Sequence, residues 1–234
     1  VNLWPFLAVP PLGWLVYACG AHLLTLSAIR RGPDDRRRVA LTFDDGPDPT
    51  HTPRLLRLLD RAGVRGTFFL VGERAIKARD VVRSLIADGH EVGNHTWSHK
   101  HLWTCTPKRT EEEIVRGASA IGEVAGVAPR YFRPPWGMVN LAVFPVLRRL
   151  GTPCVLWSIQ PEGLRPCPPQ LMVERVIRGV RPGAIVDLHD ADGVPGAGAR
   201  LIEALPAMIE RLRHNGYELV PLGELLQNQG EWPW

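Results

Sequence analysis

Four short polar clusters carry the side chains in this chain that could do chemistry. They are Asp44-Asp45-Gly46-Pro47, His95-Thr96-Trp97-Ser98-His99, Arg133-Pro134-Pro135-Trp136-Gly137 and His189-Asp190. His95 and His99 stand four residues apart, so on a helical turn they share a face. With one carboxylate they make up the three protein ligands of a zinc-type catalytic site, leaving a position for water. Adjacent residues at a strand end point in different directions. One of Asp44 and Asp45 can therefore bind a metal while the other stays free as a base. Arg133 suits the task of orienting a neighbouring carboxylate and keeping it ionised. His189, closing the buried run 184–188, suits a general acid. His101, two residues beyond His99, falls off the shared face and is expected to be exposed. Each cluster also has a plain reading: Asp-Gly-Pro favours turns, and a lone histidine pair is usually surface decoration. Four clusters at four strand ends outweigh those readings taken singly.

The elements that must position these residues alternate between short apolar runs and amphipathic segments. Strands are predicted at 38–43, 64–71, 90–94, 130–133, 153–159, 184–188 and 217–220. Helices intervene: Thr52-Pro53 opens one as cap and first residue, another spans 73–88, and Thr110 with Glu113 reads as a capping box. Three more are predicted at 141–150, 170–180 and 200–214. About seven strands with helices between them imply a parallel sheet. A closed β/α barrel and an open doubly wound sheet both satisfy the pattern. In a barrel, every polar cluster meets at one face, where active sites form.

Composition narrows the function. With 234 residues and 45% hydrophobic content, the chain can bury one substantial core. The net charge of +4 is partly concentrated in Arg30, Arg31, Arg36, Arg37 and Arg38. No basic stripe interleaved with aromatics is present, which excludes a nucleic-acid partner. The four cysteines form no Cys-x-x-Cys pair, so neither a disulfide framework nor a cysteine zinc site is expected. Residues 3–29 hold no charged side chain apart from the titratable His22. Residues 1–31 are accordingly expected to form a hydrophobic helical segment that anchors the chain to a membrane, spanning or interfacial, with the side of the membrane open. A helix packed on the domain is the competing reading. Residues 36–228 are expected to be the catalytic domain.

Thr42-Phe43-Asp44-Asp45-Gly46-Pro47, the His95–His99 cluster, Arg133-Pro134-Pro135-Trp136-Gly137 and Leu188-His189-Asp190 resemble, in order, the motifs of polysaccharide deacetylases, the NodB-homology enzymes of carbohydrate esterase family four. The resemblance implies a distorted β/α barrel of about seven parallel strands and one divalent metal ion, usually zinc. It implies that Asp45, His95 and His99 hold the metal, Asp44 is the base, His189 the acid, and Arg133 the clamp on Asp44. Pro135, Trp136 and Leu188 would shape the substrate groove. The implied substrate is an N-acylated amino-sugar polymer or oligomer, chitin-like or peptidoglycan. A lipid-linked sugar, a small amide and an inactive carbohydrate-binding relative are the alternatives.

The chain departs from the family after Trp157. Gln160 and Gly163 replace two aspartates that help set the protonation of the histidine acid, and Leu164 replaces a tryptophan. Glu162 is the candidate substitute. Asp187 stands where the family has an apolar residue.

Overall fold

In a computed structural model of the chain, residues 13–14, 16–17, 25, 27–163, 165–191 and 193–227 are described. Five parallel strands form one sheet: β1 (Arg38–Asp44), β2 (Thr67–Leu70), β3 (Glu91–Asn94), β4 (Ala184–His189) and β5 (Glu218–Leu219). Their order is β3-β2-β1-β4, with β5 pairing the start of β1. β1 is buried along almost its whole length, as a central parallel strand covered on both faces must be. Single parallel bridges carry the sheet onward from Asn94 to Phe132 and from Phe132 to Cys154. Ile159 then bridges back to Val186 in β4. The fold is therefore α/β with a parallel sheet that curls around.

Two of the seven expected strands, at 130–133 and 153–159, are present only as these bridges. The prolines at 134, 135 and 153 keep that part of the chain from forming a continuous ladder. The expected helix at 73–88 is two helices, Gly72–Lys77 and Arg79–Ala87, parted at Ala78. Thr52 is the first residue of helix Thr52–Ala62 and not its cap; its hydroxyl donates to Asp190 instead. The Thr110/Glu113 capping box is also corrected. Helix Pro107–Ala125 is capped by Thr106, whose side chain accepts from the Arg109 amide, and Thr110 and Glu113 lie buried inside it.

The main core gathers around Phe43, Phe68, Leu59, Val186 and Leu205, between the sheet and helices Thr52–Ala62 and Ala197–His214. Cys105, Cys154 and Cys167 are free and buried. Much of the expected hydrophobic segment 1–31 lies outside the described residues. Of its described part, the Tyr17 carbonyl accepts from Leu141 N–H at 3.1 Å, and Ile29 bridges Val155, so these residues run along the domain. Among the described residues no helix is long and apolar enough to cross a membrane.

Candidate active site

The C-terminal ends of the parallel strands meet at one cleft of about 450 Å³. β1 ends at Asp44 and β4 at His189, and these two residues are register partners in adjacent strands. The alternation of a strand puts Asp187 and His189 on one face and Leu188 on the other. Asp187 and His189 line the cleft, while Leu188 is buried in the core. Trp136 lines the cleft as expected; Pro135, like Leu188, is buried behind it. His101, expected to be exposed, also lines it, stacked on Trp136 with ring centres 5.0 Å apart.

Asp45, His95 and His99 bring one ligand atom each to within 4.8 Å of the others. His99 Nε2 lies 2.8 Å and His95 Nε2 3.5 Å from Asp45 Oδ1. Burial alone would raise the Asp45 carboxyl, yet hydrogen bonds and charge from His95 and His99 hold it well below the usual carboxylate range. His95 Nδ1–H donates to the Arg133 carbonyl at 2.7 Å, which leaves Nε2 turned inward as a ligand atom. A histidine ligand fixed in this way by its second nitrogen is the usual support of a metal site. One carboxylate and two imidazoles fit a divalent ion of the zinc type.

This site holds an unusual backbone. Among the described residues, the non-glycine residues with positive φ are Asp45, Thr96, His99 and Trp136, all at or beside the cleft. Such conformations cost energy and persist only where surrounding contacts impose them. For the 95–99 turn those contacts come from the turn itself, from Asn94 at the end of β3 and from helix Pro107–Ala125. Asn94 Oδ1 accepts from Thr96 N–H, and Thr96 Oγ1 accepts from His99 N–H. The buried Glu113 carboxylate accepts from Ser98 N–H and Ser98 Oγ. Gly117 lets the helix come close: a methyl there would overlap Thr96 and the Asn94 side chain.

Arg133 is fully buried and makes contacts in several directions. Its Nη1 donates to Asp44 Oδ1 and Thr42 Oγ1, both at 2.7 Å, and approaches Asp187 Oδ1 at 3.4 Å. Nε and Nη2 donate to the carbonyls of Val155 and Leu156. Burial and the neighbouring Asp44 charge push the Asp187 carboxyl up to about 7. Burial would lower the His189 imidazole, but the charges of Asp187, Asp45, Asp44 and Glu162 raise it above its ordinary value. Asp190 is buried against Thr52, and burial raises its carboxyl to about 7.

The departure after Trp157 has a definite structure. Gln160 Nε2 donates to Asp187 Oδ2 at 3.0 Å, and Gly163 lines the cleft; Leu164 lies outside the described residues. Glu162 is buried and held by Arg200 Nε at 2.8 Å and by the Cys167 amide. Sequence reasoning named Gln160 as a replacement but not its bond to Asp187, and it missed the roles of Thr42 and Glu113. Thr42 had a signal, since it lies two residues before Asp44 and so on the same strand face. The bonds of Gln160 and Glu113 had none, because their partners are brought to them only by the fold.

The sequence model of the family described as polysaccharide deacetylase matches residues 31–155, more than half of the chain. A chitooligosaccharide deacetylase of Bradyrhizobium sp. (strain ANU 289) is 35% identical over 218 residues, covering 87% of this chain and 99% of that protein. A peptidoglycan-N-acetylglucosamine deacetylase of Bacillus cereus is 34% identical over 197 residues, covering 83% of this chain and 91% of its own length. Among solved structures, the Bc1960 peptidoglycan N-acetylglucosamine deacetylase superposes with a TM-score of 0.81 at 30% identity, over 88% of this chain and 95% of that one. BA3943, a pseudoenzyme of the same esterase family from Bacillus anthracis, superposes at 0.77 with 26% identity, over 85% of this chain and 68% of that one. The fold is thus shared by active and inactive proteins, and activity has to be argued from the site. The chain belongs to the polysaccharide deacetylase family.

Proposed function

We propose that this protein is a metal-dependent hydrolase that removes the N-acetyl group from amino sugars of a chitooligosaccharide or of peptidoglycan. The observation that carries the reading is the convergence of Asp44, Asp45, His95, His99 and His189 on one cleft. The names of the relatives support both polymers. They favour a polymer or oligomer over a lipid-linked sugar.

Asp45, His95 and His99 would hold the ion, and zinc suits the donor set. When bound, such an ion lowers the pKa of water and polarises an acyl oxygen. Asp44, fixed through Oδ1 by Arg133, takes the proton of the attacking water. The water oxygen bonds to the acyl carbon, and the carbon–nitrogen bond breaks as His189 gives its proton to the sugar nitrogen. The products are acetate and a free amine. Trp136, 42% exposed, forms a wall against which a sugar ring can pack. An inactive carbohydrate binder is the second reading, favoured only by the existence of BA3943 in the family. The intact base, acid and ligand set argues against it.

The test is acetate release from acetylated chitin oligomers and from peptidoglycan fragments, before and after chelation. Release that stops on chelation and returns with zinc is expected. A folded protein that binds the oligomers and releases no acetate from either class would sink the reading.

For localisation we propose membrane association through residues 1–31, supported by the charge-free stretch 3–29 and the arginines after it. Fractionation of the full chain beside a form starting at Arg36 tests it. Equal solubility of both without detergent would remove the anchor.

A further inference from the structure

Glu162, the sequence-level candidate for the charge facing the acid, is already engaged. Arg200 and the Cys167 amide hold its carboxylate, so its charge is largely paired. Asp187 is placed differently. It lies two residues before His189 on β4, on the same strand face, and both line the cleft. Its Oδ2 accepts from Gln160 Nε2 at 3.0 Å, and its Oδ1 lies 3.4 Å from the Arg133 nitrogen that also binds Asp44. A fully buried carboxylate is retained only where such partners satisfy it. Here one cation serves two carboxylates, so above about pH 7, where Asp187 ionises, net negative charge stands beside the cleft.

We propose that Asp187 is a positioning residue for the hydrolytic step: fixed by Gln160, it is the second carboxylate on Arg133 and the buried negative charge facing His189. Its first effect is geometric. By holding Arg133 from the side of β4, it keeps the guanidinium where Nη1 meets Asp44. Its second effect is electrostatic, favouring the protonated imidazole that the departing nitrogen needs. The charged groups that face His189 are Asp187 on its own strand, Asp44 at the end of β1, Asp45 just after it, and Glu162 from the 160–163 loop. Because Gln160 and Asp187 bond each other directly, exchanging the two side chains keeps a carboxylate and an amide in contact at the same wall of the cleft.

The inference rests on the deacetylase reading. Its test compares Asp187→Gln with the exchange variant Gln160→Asp/Asp187→Gln, using acetate release across pH with zinc content measured in parallel. Asp187→Gln is expected to lower kcat by about tenfold or more, with KM and zinc content near the parent values, and to move the alkaline limb of the rate profile down by about one pH unit. The exchange variant is expected to recover most of the rate and return the limb. If Asp187→Gln does not fold, the isosteric Asp187→Asn is read in its place against the same limb. An active parent whose Asp187 variant keeps both rate and limb overturns this inference alone. So does a folded exchange variant that recovers neither. A parent that releases no acetate overturns both readings together.

Discussion

The carboxylate of Glu113, fully buried in helix Pro107–Ala125, accepts both the backbone N–H and the hydroxyl of Ser98, at 2.8 Å each. Ser98 precedes His99, whose φ of 55° is one that surrounding contacts must impose. Glu113 therefore holds a candidate metal ligand from behind. Glu113→Ala should weaken zinc binding by about 10–100-fold, the usual range for supports behind a ligand. A competitive zinc titration measures this. Arg109→Ala removes the ion pair on the same carboxylate but leaves the Ser98 bonds, and should bind zinc like the parent. Parent-like binding by Glu113→Ala would show that the turn holds itself.

Asp44 and His189 should be separable from the metal. Positioned acids and bases typically contribute about 10²–10⁴-fold, so Asp44→Asn and His189→Ala should each lose roughly that much in kcat while retaining stoichiometric zinc. The neighbouring carboxylates raise the His189 imidazole, so it should set the alkaline limb of the parent, above the ordinary histidine range. That limb should vanish in His189→Ala. Full rate in that variant on an amide substrate would remove His189 as the acid.

Gly193 lies against Asp45: a methyl group there would overlap Asp45 Oδ2. Gly193→Ala should displace either the carboxylate or the loop carrying residue 193. Overpacking of this kind costs about 1–3 kcal/mol, and zinc affinity should fall with stability. Thermal unfolding and zinc titration on one preparation check both. Unchanged zinc binding would mean that the loop gives way and the ligand does not.

His90 predicts an acid sensitivity unrelated to catalysis. Its ring is buried, and burial lowers its pKa to about 4. Nδ1 accepts from Gly66 N–H at 3.0 Å, a bond that only the unprotonated nitrogen can make. The unfolded chain takes up this proton below about 6.5, the folded chain only below about 4. Between those values the unfolded state binds more protons, so stability falls as pH falls, by about 3 kcal/mol at most. His90→Asn keeps an acceptor for Gly66 without titrating. It should remove the His90 share of the loss, so that the variant loses less stability than the parent between pH 6.5 and 4, as followed by denaturant unfolding. An unchanged slope would remove His90 as a source of acid sensitivity, since Asp187 and Asp190, raised to about 7, act in the opposite sense over this range.

What the sequence revealed and what it hid divide by range. β1 and β4 were legible because parallel strands buried on both faces read as continuous apolar runs, and the polar residues at their ends stood out against them. The 130–133 and 153–159 segments read as strands from their apolar residues, but the prolines at 134, 135 and 153 reduce their pairing to single bridges. Thr110 and Glu113 had the spacing of a capping box, yet Thr106 and Pro107 start the helix and Glu113 serves a turn fifteen residues away. The break at Ala78 has no glycine or proline to announce it. Gln160 and Asp187 lie 27 residues apart and meet only through the placement of Ile159 beside Val186.

Arg133 clamps Asp44, but its Nε and Nη2 also donate to the carbonyls of Val155 and Leu156 in the segment that closes the sheet. That segment meets its neighbours through single bridges, from Cys154 to Phe132, Val155 to Ile29 and Ile159 to Val186. One side chain is therefore both an orienting group for the base and a rivet across the bridged segment that closes the sheet. Removing it would leave two buried carbonyls without donors and Asp44 with an uncompensated charge. An inactive Arg133→Ala protein would report on closure and chemistry at once, whereas Arg133→Lys keeps the cation and loses the forked donors. Comparing amide exchange at 154–159 in those two variants would tell the rivet from the clamp.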